Sequence, residues 1–405
     1  MADTTLTPLS DLPWFDVADV LAGDDPLGAL GDLLDHGPVA RSDLGLHALT
    51  YDGCVELLRD ERFHTDATHL LDSAGITDPT TRTQWLTSLL GSQRADHDRM
   101  RRLVSPSFTP RAIADLRNYV YELADASAAT AIERGRLEVM SDLAAPIPPA
   151  VFCRMIAAPE EDAPVIGRWS AQILEIFGRR PELAPSVEAA THELVDYVLG
   201  FVERRRRSPV DGDLISNLIA AEESGDRLTT DELVALVNEV LEASTDNTSS
   251  QLALVLHAAA QDPERWAALR ADPATIPGFV EEACRLWPRI VCNAKVAAGD
   301  ESFAGIAVPA GTPVWATVPS AHRDPAVFTD PLRFDPNRAT KATNLNYGAG
   351  GHYCVGVHLA RLEMCGAIEA LTRRWRSIEP IGSIDLDISI GAVTVRELNL
   401  AVEPA

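Results

Sequence analysis

The chemistry of this chain is concentrated in ten residues: Tyr347-Gly348-Ala349-Gly350-Gly351-His352-Tyr353-Cys354-Val355-Gly356. Its glycines permit sharp turns and let the backbone approach something flat and large. Cys354 stands just before a helical pattern (VHLARLEMCGAIEALTRRW), where backbone N–H groups and the helix dipole favour the thiolate, the form that binds metal. No second Cys or His lies at zinc spacing. A lone thiolate suits a metal whose remaining ligands come from a cofactor such as a haem. A buried cysteine in a glycine-rich turn accounts for the same residues equally well, so this motif alone does not decide.

The elements around it come from pattern and composition. The 405 residues include 35 Lys+Arg against 60 Asp+Glu, a net charge of −25, and are 46% hydrophobic. That is a globular composition whose acidity argues against binding nucleic acid or an anionic membrane through general charge. No window approaches the roughly twenty apolar residues of a membrane span, and the first thirty residues have no basic start or apolar core of a leader. Six scattered cysteines (Cys54, Cys153, Cys284, Cys292, Cys354, Cys365) without a CxxC pair read as reduced thiols of a cytoplasmic protein, most of them small core residues.

From about Thr109 to Ala260 apolar residues recur at three and four, predicting helices, the longest over Thr230–His257 after the capping sequence Thr229-Thr230-Asp231-Glu232. The run Arg204–Arg207 reads as a solvated helix end. After Pro288, β-like pieces (KVAAG, FAGIAVPAGTPVWATV) give way to a long turn-rich stretch, His322–Gly351, then one more helix and a β-like tail. The expected fold is mainly α with a small β portion, a single domain over 1–405.

The order Gly348-x-Gly350-x-His352-x-Cys354-x-Gly356, followed by Ala360-Arg361, resembles the haem-binding loop of the cytochrome P450 family of haem-thiolate monooxygenases. Three further segments fall in the family's order. Glu282-Ala283-Cys284-Arg285 matches its ExxR motif, and Asp330–Arg338 matches the segment supplying a second arginine, Arg338. His97-x-x-x-Arg101-Arg102 resembles the motif that pairs with a haem propionate. The resemblance implies the cytochrome P450 fold, with one haem b (iron protoporphyrin IX) between the long helix and the Cys loop with its helix. Cys354 would be the axial thiolate, and His97, Arg101 and His352 would hold propionates. Lys295, where the family usually has Arg, keeps the charge without the planar fork. Tyr347 replaces the family's Phe, and its hydroxyl needs a partner if buried. Gly348 and Gly356 complete the cofactor loop, and Glu282, Arg285 and Arg338 form a structural triad.

The resemblance also shows where this chain departs. The family's (Ala/Gly)-Gly-x-(Asp/Glu)-Thr motif corresponds to Ala243-Ser244-Thr245-Asp246-Asn247, followed by Thr248. Asp246, Asn247 and Thr248 are the catalytic candidates, and Asn247 has no hydroxyl to relay a proton. Either Asn247 is a tolerated variant, or water or a substrate hydroxyl takes over, or the reaction is aromatic coupling or nitration instead of hydroxylation. At about 100° per residue, Glu239, Glu242, Ala243 and Asp246 share one narrow helix face. Those carboxylates would receive an N–H group of the substrate, or else face water or a salt-bridge partner such as Arg289. Other substrate-wall candidates are Ile290, Val291, Asn293 and Val393, with Trp85 and Trp169 read as core.

No electron-transfer module is fused to the chain. The resemblance therefore implies O2, a separate ferredoxin with its reductase, and a monomer tailoring a small secondary metabolite. Docking would use Arg101, Arg102, Arg111 and Arg361. A non-oxygenating haem sensor and a peroxide-driven enzyme of the same fold are the alternatives.

Overall fold

The computed structural model describes residues 7–210, 213–223 and 228–405. The first six residues, part of the stretch read for a leader, lie outside the described residues. Two compact units emerge. One gathers Met1–Asp66, Glu281–Cys354 and Ile388–Val393, and the other Ala67–Val280, Val355–Asp387 and Thr394–Ala405.

The first unit is built on a five-stranded sheet. Its strands are β1 (Val39–Ser42), β2 (Gly45–Ala48), β3 (Phe63–His64), β5 (Cys292–Ala297) and β8 (Pro313–Thr317), in the order β1-β2-β8-β5-β3. Only the β2–β8 pair is parallel. The β5–β8 register places Lys295 opposite Val314. A hairpin of β6 (Glu301–Phe303) and β7 (Ile306–Val308) and the helix Tyr51–Arg59 cover the apolar side, where Leu57, Phe63, Phe303, Val314 and Phe328 are buried together. That helix starts where Thr50 accepts the Gly53 N–H. Its first residue is pinned twice: the Tyr51 N–H donates to Asp324 and its hydroxyl to the Thr343 carbonyl.

The second unit is dominated by helices. The longest, Thr230–Ala260, opens with a complete capping box in which Thr229 and Glu232 satisfy each other's backbone N–H groups. Apolar side chains cover most of its circumference, as expected of a helix that runs through a core. The helices Leu116–Arg134 and Val357–Arg374 pack closely, and a methyl group at Gly366 would lie 3.0 Å from Val120 Cγ1. Below them, β4 (Arg136–Glu138), β12 (Asn399–Pro404) and β9 (Trp375–Pro380) form an antiparallel sheet in the order β4-β12-β9. A further hairpin pairs β10 (Asp385–Ile388) with β11 (Val393–Glu397).

The helical stretches and the β-like pieces appear where the periodicity predicts them, and the long helix runs one turn further than expected, to Ala260. One reading needs correction. The arginine run is not simply a solvated helix end: Arg205 is buried, paired with Asp213 and donating to the Ile156 and Ala157 carbonyls at 2.9 and 3.1 Å. Arg206 pairs with Glu203 and Glu222. Asp213 and the carbonyls of Ile156 and Ala157 bury what a lone helix would have exposed. Among the described residues, no helix is long and apolar enough to cross a membrane.

Candidate active site

The Cys loop belongs to the first unit and is held by a chain of buried polar contacts. Glu282 lies near the end of the helix Ile276–Leu286 and is 4% exposed. Arg285 grips it with two bonds, Nε to Oε2 at 2.8 Å and Nη2 to Oε1 at 2.7 Å. Arg338 Nε adds a third guanidinium contact at 3.1 Å and the Asp335 N–H a fourth bond at 3.0 Å. The remaining Arg285 donors reach the His322 and Pro331 carbonyls at 2.7 and 2.8 Å. A carboxylate that accepts these four hydrogen bonds, between two arginines bound to carbonyls, fixes the irregular stretch that leads to the cysteine.

Three residues the sequence reading did not single out complete this support. His322 is fully buried, and burial lowers it to about pH 3, so the ring is neutral. Its Nδ1–H donates to the Arg285 carbonyl at 2.9 Å and Nε2 accepts the Leu345 N–H at 2.9 Å. Asn344 donates to the Glu281 carbonyl and accepts the Asn346 N–H, and Asn346 accepts the Ile290 N–H. No local pattern marks them, since each acts on a partner distant in the chain.

The loop then makes two tight turns, Leu345–Tyr347 and Gly350–His352. Gly348 and Gly350 both have φ of 70°, and a methyl group on Gly350 would stand 2.6 Å from the Leu58 carbonyl oxygen, so glycine is required there. The Cys354 N–H donates to the Tyr347 carbonyl at 2.9 Å, and Gly356 caps the following helix. Cys354 is partly exposed, whereas Cys54, Cys153, Cys284 and Cys292 are buried. Burial pushes Cys153 and Cys292 up to about 12, which makes them inert thiols. Tyr347 is buried, and its hydroxyl lies 3.7 Å from Cys284 Sγ, which supplies a partner. His352 is half-buried at the end of the second turn.

Lys295, on β5, tests whether the site suits an anionic cofactor. It is 6% exposed, burial pulls its ammonium down to about 8, and Nζ donates only to the Thr65 hydroxyl at 3.2 Å. No carboxylate among the described residues pairs with it. A desolvated cation with one neutral partner fits a carboxylate brought by a ligand, such as a haem propionate.

In the second unit, His97 and Arg101 lie four residues apart on the helix Arg94–Val104 and therefore on one face. His97 is buried with Nδ1 3.1 Å from Asp98, and Arg101 is half-buried. Arg101, Arg102, Ser105, Pro106, Thr109 and Asp98 line a surface groove.

The long helix carries the remaining candidates. Asp246 and Asn247 are half-buried and Thr248 is buried. The Asn247 amide donates to the Ala243 carbonyl one turn back, at 3.5 Å. Glu239 accepts the Leu89 and Leu90 N–H groups at 2.5 and 2.8 Å. Burial pushes its carboxyl up to about 7 against the pull of those two amides. Glu242 is 8% exposed; its carbonyl accepts from the Thr245 hydroxyl, and its carboxyl has no hydrogen bond or ion pair among the described residues. Burial, with Glu239 as charged neighbour, holds its carboxyl well above the usual range. Ala243, between these acids, is exposed in the middle of the helix.

The other wall candidates divide. Ile290 and Asn293 are half-buried, and Asn293 Nδ2 has no partner. Val291 and Val393 are instead completely covered. Their backbones join two segments, Val291 N–H to the Gly391 carbonyl and Val393 N–H to the Arg289 carbonyl. Trp85 packs edge-on against Phe177, and Trp169 donates its indole N–H to Glu193, both as buried side chains.

Comparison with known proteins agrees with this arrangement. The family model described as cytochrome P450 matches residues 177–391. The chain is 32% identical over 369 residues to luteothin monooxygenase of Streptomyces thioluteus, covering 90% of each protein. It is 32% identical over 377 residues to epothilone C/D epoxidase of Sorangium cellulosum, covering 90% of this chain and 89% of that one. A solved structure of an epothilone D-bound cytochrome P450 superposes with a TM-score of 0.89 at 28% identity, over 95% of this chain and 99% of that chain. The chain belongs to the cytochrome P450 family. It is a P450 monooxygenase with haem b as its cofactor, and members of the family act on small molecules with O2 and electrons from redox partners.

Proposed function

We propose that residues 1–405 act as one catalytic domain that oxidises a small organic substrate in the tailoring of a secondary metabolite. The observation that carries this reading is the partly exposed Cys354 on a loop whose approach is locked by the Glu282–Arg285–Arg338 triad. The names of relatives such as luteothin monooxygenase and epothilone C/D epoxidase support the substrate class.

When bound, haem b supplies the activation of O2 by two electrons. Cys354 would ligate the iron, with Gly350 letting the loop pass close to its neighbours. Lys295, His352, His97 and Arg101 would hold the propionates, Lys295 exchanging a neutral partner for a charged one. On the long helix, Asn247 donates one of its two amide hydrogens to the Ala243 carbonyl and has no hydroxyl to relay a proton. Proton handling then falls to Asp246 and Thr248, with water or a substrate hydroxyl in place of the missing threonine. Electrons would come from a ferredoxin and its reductase, docking on the groove that Arg101 and Arg102 line, and reduction would slow at high salt. Six free cysteines suit a reducing cytoplasm, where the protein would work as a monomer.

The test is spectroscopic and then catalytic. The reduced holoprotein under carbon monoxide should show the red-shifted Soret band of thiolate ligation, and Cys354→Ser should abolish it. Turnover should require a surrogate ferredoxin and reductase. An ordinary haem spectrum in the wild type overturns the reading, and turnover with hydrogen peroxide alone replaces the electron donor.

A further inference from the structure

Between Glu239 and Asn247 the long helix changes character. Most of the middle of the helix is buried, yet Ala243 is exposed there while Val240, Leu241, Glu242 and Thr245 around it are buried. Two carboxyls stand one turn apart at the edge of this bare face, in different states of satisfaction. Glu239 has a structural explanation: it clamps two consecutive backbone N–H groups, of Leu89 and Leu90, and so ties the segment 88–90 to the helix.

Glu242 has none. It is more than nine-tenths buried, and while its carbonyl accepts from the Thr245 hydroxyl at 3.0 Å, its carboxyl makes no hydrogen bond or ion pair among the described residues. Its charged neighbour is another acid, Glu239. Ionised, it lacks a donor and faces repulsion; protonated, its O–H lacks an acceptor. The described residues supply neither, so its partner is water or a ligand. A neutral N–H would satisfy the lone pairs only. A protonated nitrogen would do that and also offset the repulsion between the two carboxyls.

We propose that Glu242 binds a cationic nitrogen of the substrate, a protonated amine or a guanidinium, on the face exposed at Ala243. Glu239 is the positioning residue that holds the segment 88–90 beside it. The proposal rests on the monooxygenase reading above and names the substrate class for it.

The experiment uses the haem-loaded protein and matched probes that differ in charge. Guanidines serve for the cationic member because, unlike free amines, they stay protonated and are poor iron ligands. Phenylalkylguanidines of three to five methylenes are compared with the phenylalkylureas of the same lengths by equilibrium dialysis. In the wild type at least one guanidine should bind about tenfold tighter than its urea or better. In Glu242→Gln that preference should fall to about twofold or less, and Glu242→Asp should retain part of it, which guards against a folding defect in the glutamine variant. Equal binding of each pair, a preference that survives in Glu242→Gln, or no binding by any guanidine overturns the proposal. Failure of the monooxygenase reading shows separately, as loss of the thiolate-type carbon monoxide band in the wild type.

Discussion

Two carboxyls buried to nearly the same degree have opposite surroundings. Glu282, 4% exposed, meets two guanidiniums and a backbone N–H, and the arginines around it are in turn bound to carbonyls. Glu242, 8% exposed, meets no donor among the described residues and has a second acid beside it. A buried charge is tolerated only when its hydrogen-bonding capacity is used, so the first region is complete in itself, and on the proposal above a ligand completes the second. The first sets the shape of the Cys loop. The second is where, on that proposal, the substrate is selected.

Removing the two acids should break the comparison most visibly. Glu282→Ala strands two arginines and is expected to destabilise by about 3–5 kcal/mol in denaturant unfolding, with loss of haem retention. Glu242→Gln removes no partner and should leave stability unchanged or slightly raised. Equal destabilisation by both would erase the distinction.

Glu239 sits between these extremes, satisfied by backbone amides but raised to about 7 by burial. Its folded value lies above the unfolded value of roughly 4.5, so the folded state binds the proton more tightly. The stabilisation this gives is full below about pH 4.5 and is lost as pH rises towards 7. Replacement by Gln should flatten that interval by about 2 kcal/mol, read as the difference between variant and wild-type unfolding free energies at pH 5 and pH 7.5.

Lys295 is the cationic counterpart of Glu242, a buried charge short of an opposite partner. Lys295→Met should leave the haem-free protein at least as stable, while haem transfer to an acceptor protein becomes roughly tenfold faster, equivalent to about 1.4 kcal/mol. Smallest of all, Asn247→Thr exchanges a long amide contact for a hydroxyl. Its unfolding free energy should move by less than about 0.5 kcal/mol, so that any change in product formed per electron pair reports on proton handling alone.

Much of this was legible beforehand. The Cys loop, the ExxR motif and the His97–Arg101 pair are short patterns whose chemistry is legible through the family resemblance, and the long helix announces itself by its caps and periodicity. What escaped notice acts across the chain. Arg205 meets Asp213 only because the backbone turns back, His322 joins the Arg285 carbonyl to the Leu345 N–H, and Glu239 serves amides about 150 positions away. The family resemblance places Val291 and Val393 among the pocket residues, whereas both side chains are completely buried and only their backbone N–H groups link the two segments.

By itself, then, the amino-acid order determined which groups are available: a thiol before a helix, glycines where only glycine fits, acids on one helical face. Periodicity and short-range sterics act within a few residues, so they can be read along the chain. Which of those groups would be satisfied was decided only by tertiary structure. Desolvation and hydrogen-bond pairing depend on what folds against each side chain, and nothing in the spacing of Glu239, Glu242 and Glu282 distinguishes a clamp, a carboxyl without a partner among the described residues and a structural lock.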